Sequence, residues 1–198
     1  MMPIKRVMIT YGRDSGISLT TITMFEKYQN NRTQKNLKFQ IVEATHSQIR
    51  DAAKISLERQ GSGDILQICK ELEKFAGIKD ARLFVAVANK EIAGFAKARK
   101  FVGEAYSHEG WYLCGVVVKP EYRGSGIGRE LTRVRLDYIK SVTQRVYYFA
   151  NVKNAVSIKL HESFGFEKLT ESFKFPDVTF SGGIGCLFKI DSDKIISS

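Results

Sequence analysis

The chain has 198 residues, of which 43% are hydrophobic, 26% charged and 11% aromatic. This composition supplies one sizeable core and excludes an intrinsically disordered chain. Lysine and arginine number 31 against 21 aspartate and glutamate residues, a formal charge of +10. The charge suits a phosphate-rich ligand, a nucleic acid or an acidic surface without choosing among them.

Several other classes of protein do not fit the sequence. It has no apolar run long enough to cross a membrane, and its start lacks the apolar stretch and cleavage site of a signal peptide. We therefore expect a cytoplasmic protein with no membrane partner. Three widely spaced cysteines and three scattered histidines predict neither a disulfide framework nor a metal site. These residues are Cys69, Cys114, Cys186, His46, His108 and His161.

Residues 1–37 differ in composition from the rest and are interpreted as an extension packed on the main domain or on another subunit. Within it, residues 5–11 fit a short strand and Ser18–Tyr28 a helix. The domain proper is predicted to span residues 38–198.

From Phe39 the chain alternates recognisable elements. A first strand over 39–42 is followed by a helix capped by Thr45, and a break at 61–64 precedes a second helix that stops at Gly77. Two strand-like runs, 82–88 and 92–99, form a predicted hairpin.

An unbroken apolar run over 111–118 predicts a central strand covered on both faces. It leads into the loop Arg123-Gly124-Ser125-Gly126-Ile127-Gly128 and then a helix containing Arg129 and Leu131. Glycines allow backbone N–H groups to converge, and a helix N-terminus attracts anions, so this segment predicts a pyrophosphate site. The spacing fits neither a dinucleotide-binding turn nor a Walker loop.

A second informative segment runs from Tyr147 to Phe166 and is predicted to form strand, loop, short helix and turn. Asn154 caps the helix in this interpretation and Gly165 ends it. Six phenylalanines in the last third indicate core strands at about 166–175 and 184–190, with a turn at Pro176-Asp177 between them. Residues 181–185 are interpreted as a hairpin turn or bulge.

These two segments resemble the GNAT superfamily of N-acetyltransferases. Residues 123–128 match the pyrophosphate loop of that family, and residues 154–166 are similar to its second cofactor motif, which ends in Leu-Tyr/His-Glu-x-x-Gly-Phe. The resemblance covers roughly residues 38–190.

The resemblance implies an α/β (α+β) fold with a mixed, mostly antiparallel sheet flanked by helices. Strands at about 111–118 and 145–150 would splay apart to admit acetyl-CoA. Val116 and Val118 would pair with the pantetheine arm, and Asn154 and Ser157 would meet it near its sulfur. The pyrophosphate would be held by the amides of Gly124, Ser125, Gly126, Ile127, Gly128 and Arg129, with Arg123 beside them.

His161 occupies the position where many relatives place a tyrosine that protonates the leaving thiolate. It could serve as that acid or instead pack and contact the cofactor. No general base can be assigned. Candidates in or before the central strand are Glu104, Tyr106, His108, Glu109 and Tyr112.

The predicted function is an acetyl-CoA-dependent N-acetyltransferase in which a primary amine attacks directly within a ternary complex. The positive charge disfavours polyamines, while small amines and peptide amines remain open as partners. A homodimer is implied only by the family. Two alternatives remain: a non-catalytic acyl-CoA-binding or basic nucleic-acid-associated regulator, and transfer of a longer acyl group. Nucleic acid is the less favoured partner because no recognition motif for it is present.

Overall fold

The computed structural model describes residues 8–9, 21–22, 37–176, 178, 180 and 184–195. Within these ranges the chain forms four α-helices and nine strands. No helix among them is both long and apolar enough to cross a membrane.

One mixed sheet organises the described chain. Its strands are β3 (Phe39–Glu43), β4 (Ala81–Ala88), β5 (Glu91–Phe101), β6 (Gly110–Val118), β7 (Arg145–Asn151), β8 (Glu167–Thr170) and β9 (Gly185–Asp191). They lie in the order β3-β4-β5-β6-β7-β9-β8. All neighbours are antiparallel except β6 and β7, which are parallel. The mixed, mostly antiparallel sheet confirms the predicted fold class.

Helices cover both faces of this sheet. They are α1 (His46–Gln60), α2 (Ile65–Ala76), α3 (Ile127–Lys140) and α4 (Ala155–Glu162). Helices α1 and α2 share a core with Val85 and Phe95 of the sheet, whereas α3 packs on the opposite face against Phe84 and Ala96. The side chain of Leu136 extends the α3 core into a cluster that contains Val146 and Phe166.

Local signals in the sequence account for several element boundaries. Thr45 precedes α1, and its backbone N–H donates a hydrogen bond to the side chain of Gln48. Asn89 and Lys90 form the two-residue turn between β4 and β5, both with positive φ, a conformation that suits the twist of a hairpin. The predicted hairpin is therefore confirmed, with Glu91 belonging to the second strand.

The start of the chain differs from the sequence prediction. Two short strands, β1 (Met8–Ile9) and β2 (Thr21–Ile22), pair antiparallel. The first falls inside the predicted strand, but the helix predicted over Ser18–Tyr28 is wrong at Thr21–Ile22, where consecutive β-branched residues favour a strand. The rest of both predictions lies outside the described residues.

The strand predicted at 166–175 is also shorter than expected. Strand β8 ends at Thr170, because the chain then leaves β9 and pairs with the loop before β6. Ser107 and Lys174 exchange hydrogen bonds there: the Ser107 N–H donates to the Lys174 carbonyl, and the Lys174 N–H to Ser107 Oγ. Pro176 lies in a turn, while 177 and 181–183 lie outside the described residues.

Candidate active site

Strands β6 and β7 pair at one end and diverge at the other. Trp111 pairs with Val146 and Tyr112 with Tyr147, and no further β6–β7 pair occurs within the described residues. Beyond Tyr112, β6 bulges against β5 and Gly115 adopts a φ of 77°. A Cβ atom at Gly115 would meet nothing within 4 Å. The predicted central strand is therefore only partly buried in its second half, where it borders an open gap.

The backbone of β6 directs some of its polar groups away from β5 and towards this gap. The N–H of Lys119 donates to the carbonyl of Ala93 on β5. Because backbone groups alternate in direction along a strand, Val117 also faces β5, whereas the groups of Val116 and Val118 point away from it. This orientation suits the predicted role of Val116 and Val118, which stays a prediction.

The glycine loop ends at the N-terminus of α3. Gly124 and Gly126 have φ of 78° and 91°, a region open to glycine and costly for other residues. Gly126 is the N-cap of α3 and no side chain caps the helix there. The first N–H groups of an α-helix have no acceptor within it. Those groups belong to Ile127, Gly128 and Arg129.

Two arginines flank the loop. The Arg123 Nε–H donates to the carbonyl of Val118, 3.3 Å away. The guanidinium of Arg129 donates to Ser163 Oγ at 2.8 Å and lies over the ring of Phe164. Both cations thus remain next to the loop, although Arg129 is turned towards the end of α4. Sequence spacing predicted their proximity and could not show these contacts.

A polar cluster holds the start of the loop against the β4–β5 turn. The Tyr122 hydroxyl donates to Glu91 Oε1 at 2.5 Å, and Lys119 Nζ contacts Glu91 Oε2 at 2.9 Å. Asn89 Nδ2 donates to the Tyr122 hydroxyl, and Ser125 Oγ donates to the Tyr122 carbonyl. The hydrogen bond from Tyr122, followed by that from Lys119, lowers the pKa of Glu91.

A small cleft adjoins the same segment on the α1 side. Its volume is about 100 Å³. It is lined by Ile55, Glu58, Arg59, Val117, Val118, Lys119, Pro120 and Arg123. Three of these eight side chains are cationic and one is anionic, so the cleft favours negatively charged ligands.

Asn154 caps α4, as its position in the sequence predicts. Its Oδ1 accepts the Ser157 N–H at 3.2 Å. The Ser157 hydroxyl in turn accepts from the Tyr148 hydroxyl at 3.0 Å. Burial is the main cause that raises the pKa of Tyr148, so this phenol stays protonated. The network fixes the start of α4 against β7, and cofactor contacts by Asn154 and Ser157 stay predictions.

His161 is enclosed beneath β7. It is 3% exposed, and its ring stacks on Tyr148 with centroids 3.7 Å apart. Nδ1 lies 2.8 Å from the carbonyl of Ser157, so Nδ1 carries the proton. Burial, aided by the charge of Arg135, lowers the pKa of His161 to about 3. Nε2 is buried and has no hydrogen-bond partner within the described structure.

Arg135 was not predicted as a functional residue. It is fully buried, and its guanidinium donates to the carbonyl of Leu131 at 3.0 Å, of Lys97 at 3.0 Å and of Gly115 at 3.3 Å. Burial lowers its pKa to about 9. At the bulge of β6, the guanidinium N–H groups take the place of backbone hydrogen bonds between β5 and β6. The amphipathic pattern of α3 gives no signal for this role, because arginine is usually placed on the exposed face.

The candidate general bases are engaged in local structure. Glu109 accepts a backbone N–H of its own loop, and the Tyr112 hydroxyl donates to the carbonyl of His108. Tyr106 packs in an aromatic cluster formed with Phe101, Tyr112, Tyr147 and Phe175. Glu104 is exposed. No one of these groups is singled out as a base by its contacts.

Comparisons with known proteins give a family match. The family model described as "Acetyltransferase (GNAT) family" matches residues 49–166, a range that contains most of α1, all of α2, α3 and α4, and the glycine loop. No curated protein matches the sequence.

Solved structures share this fold at low sequence identity. A ribosomal-protein-alanine N-acetyltransferase from Brucella melitensis aligns with a TM-score of 0.62 at 20% identity, covering 77% of this chain and 99% of that one. A phosphinothricin acetyltransferase from Sinorhizobium meliloti in complex with acetyl-CoA gives 0.61 at 16% identity, covering 77% and 88%. A spermidine N-acetyltransferase from Vibrio cholerae in complex with CoA and spermine gives 0.57 at 16%, covering 79% and 96%.

Proposed function

Because the chain belongs to the acetyltransferase (GNAT) family, we propose that it is an acetyl-CoA-dependent N-acetyltransferase acting on a primary amine within a ternary complex. The observation that carries this proposal is the glycine cradle at the start of α3, next to the gap between β6 and β7. Gly126 supports it directly, because a Cβ atom there would enter open space.

The residues around the gap fit a thioester cofactor with a pyrophosphate. The backbone N–H groups of the loop and first helical turn would hold the pyrophosphate, aided by the helix dipole. These groups belong to Gly124, Ser125, Gly126, Ile127, Gly128 and Arg129. Arg123 adds charge, and the backbone of Val116 is directed to the gap for the pantetheine arm. The Val118 carbonyl is less available to the pantetheine arm, since it already accepts a hydrogen bond from Arg123.

Acetyl-CoA supplies the acetyl group as a thioester. The chain would contribute orientation of the amine and backbone N–H groups that stabilise charge on the carbonyl oxygen. Of the two roles considered for His161, its contacts favour positioning. A neutral imidazole that donates through Nδ1 presents a lone pair at Nε2, and a proton donor needs a hydrogen there.

The domain assignment follows the same reasoning. The sheet runs from Phe39 to Asp191, which supports residues 38–198 as the catalytic domain. The role of residues 1–37 as an extension, the cytoplasmic location and a homodimer stay predictions. The acceptor class is taken up in the next subsection.

Calorimetric titration with acetyl-CoA and CoA tests the proposal. We expect micromolar binding to the wild type and its loss in Gly126→Asp, which places a carboxylate in the cradle. Gly103→Asp is the matched control, because Gly103 also has a positive φ, 113°, and open space around its Cβ position. No binding by the wild type at low salt would contradict the proposal.

Turnover separates the catalyst from the regulator. Release of CoA thiol in the presence of an amine supports the transferase, whereas binding without release from any amine supports a non-catalytic acyl-CoA-binding protein. Comparing acetyl-CoA with longer acyl-CoA esters in the same assay tests the alternative of a longer acyl group.

A further inference from the structure

Two cationic residues lie two positions apart on the strand face covered by α1 and α2. Lys97 and Arg99 are two residues apart on β5, so their side chains share a face. Phe95, two residues earlier, packs in the α1–α2 core, and Lys97 Nζ lies 5.2 Å from the ring centroid of Phe75 on α2. The Arg99 guanidinium lies 4.7 Å from the ring centroid of Phe101. Aromatic rings thus flank the cations on either side.

Neither cation forms an ion pair with a carboxylate among the described residues. Both side chains are partly buried, and Arg99 Nε is buried without a hydrogen-bond partner in the described structure. Glu71 acts on Lys97 through its charge, but its Oε1 accepts from Gln67 and it makes no ion pair with Lys97. Burial lowers the pKa of Lys97. Cations that are partly buried and have no counter-ion lose some of their hydration, so an anion at this place would offset that cost.

The pair lies beside the gap that the proposed function uses. In the register of β5 and β6, Ala96 opposes Val116 and Ala98 opposes Leu113, so Lys97 faces the bulge of β6 at Cys114. Neighbouring strands lie about 4.8 Å apart. The charges of Lys97 and Arg99 act on the Cys114 thiol, whose pKa is nevertheless raised because burial dominates. A ligand on these cations would therefore lie about one strand spacing from β6, the strand that borders the gap.

We propose that Lys97 and Arg99 bind a carboxylate of the acceptor, so that the substrate is an amine that also carries a carboxylate. This inference rests on the proposed N-acetyltransferase function and names its substrate class. A polyamine would place further positive charge against the two cations. A carboxylate suits the aromatic surroundings better than a phosphate, because a monoanion costs less to remove from water than a dianion.

The test compares amines that differ only in the carboxylate. With acetyl-CoA saturating, initial rates of CoA release are measured for β-alanine and its amide, glycine and glycinamide, a free dipeptide and its C-terminal amide, ethanolamine, phosphoethanolamine and spermidine. Rates are expressed per free-base amine, since amidation lowers the pKa of an α-amine. We expect kcat/KM to favour the carboxylate member of a pair about tenfold or more, the range of a hydrogen bond to a charged group.

Variants then tie the preference to the two side chains. Lys97→Met and Arg99→Met are each expected to raise the KM of the carboxylate-bearing amine about tenfold or more while leaving that of its amide unchanged. A purely structural role would change both. Lys100→Met is the matched control, because Lys100 is exposed on the same strand and points to the other face. Lys97→Arg retains the cation and should retain the preference.

The outcomes separate the two proposals. Failure of the wild type to bind acetyl-CoA contradicts the proposed function itself. Binding of acetyl-CoA together with equal or better acetylation of amides, spermidine or phosphoethanolamine overturns the carboxylate assignment. Binding without acetylation of any carboxylate-bearing amine in the panel also overturns it.

Discussion

The imidazole of His161 lies flat on the phenol ring of Tyr148, with ring planes 5° apart and centroids 3.7 Å apart. Phe166 meets the same imidazole edge-on at 5.4 Å. One nitrogen is bonded to the Ser157 carbonyl and the other is enclosed. These contacts keep the imidazole neutral in the folded protein, so the free energy of unfolding depends on pH.

Wild-type stability should fall in mild acid because of His161. Folding lowers the pKa of this imidazole from 6.5 to about 3, so protonation favours the unfolded chain. The free energy of unfolding therefore decreases as the pH falls below about 6.5, by up to about 1.4 kcal/mol per pH unit, until the pH approaches 3. His161→Gln should be less stable at pH 7.5 but lose less stability down to pH 5. Urea denaturation at both pH values measures the difference.

His46→Gln is the control for this pH dependence. The His46 side chain is 84% exposed and contacts Glu73 at 3.5 Å, an arrangement that contributes little. The His46→Gln substitution should therefore leave the pH dependence of stability the same as in the wild type. Parallel pH dependences for wild type and His161→Gln would show that His161 is accessible to protons in the folded state.

The local parts of the site could be predicted from sequence. A glycine at positive φ acts through a few neighbouring residues, and so does a helix cap such as Thr45 or Asn154. The loop before α3 and the starts of α1 and α4 are therefore encoded locally. The gap could not be predicted in the same way. It depends on β7 diverging from β6, and an unbroken apolar run is equally typical of a strand covered along its whole length.

Buried charges were missed for a related reason. Arg135 lies on an amphipathic helix and Lys97 and Arg99 lie on a strand, where a cation is ordinarily read as facing solvent. Their burial follows from the bulge of β6 and from helices on both faces, which are properties of the assembled sheet. The strand that corresponds to β8 was predicted too long, because the contact between Ser107 and Lys174 that draws the chain away is non-local.

Arg135 should contribute far more to stability than its neighbour Arg133. Arg135→Met removes the donors to the carbonyls of Lys97 and Gly115 at the bulge, each costly to leave unpaired when buried. We expect a loss of about 2–4 kcal/mol in the free energy of unfolding, measured by urea denaturation. Arg133→Met removes surface contacts with Glu130 and Asp137 and should cost less than about 1 kcal/mol. Equal losses for the two variants would contradict the role given to Arg135.

Removing the Tyr122 hydroxyl should weaken cofactor binding without touching the cofactor site directly. Tyr122→Phe loses the hydrogen bond to Glu91 that holds the start of the glycine loop. The loop would then be ordered partly on binding, and we expect the Kd for acetyl-CoA to rise about 3- to 10-fold by calorimetry.

Tyr138→Phe provides the matched removal of a hydroxyl. Tyr138 lies on α3 away from the loop and packs against Phe84 and Trp111 through its ring. Its removal should leave the Kd unchanged. If Tyr122→Phe binds acetyl-CoA as the wild type does, the cluster around Glu91 has no part in preparing the loop.

Gly115 should be required for turnover more than for folding. Its φ of 77° costs an alanine about 1–2 kcal/mol, and the new methyl group would enter open space on the part of β6 that borders the gap. Gly103→Ala meets the same two conditions in the loop before β6, with a φ of 113° and open space. We therefore expect similar losses in melting temperature for the two variants. Only Gly115→Ala should lower kcat/KM, by about tenfold or more, since small misplacements at the reacting centre are amplified in rate. Equal kcat/KM values for both variants would mean that the gap beside Gly115 is not where the amine and the acetyl group meet.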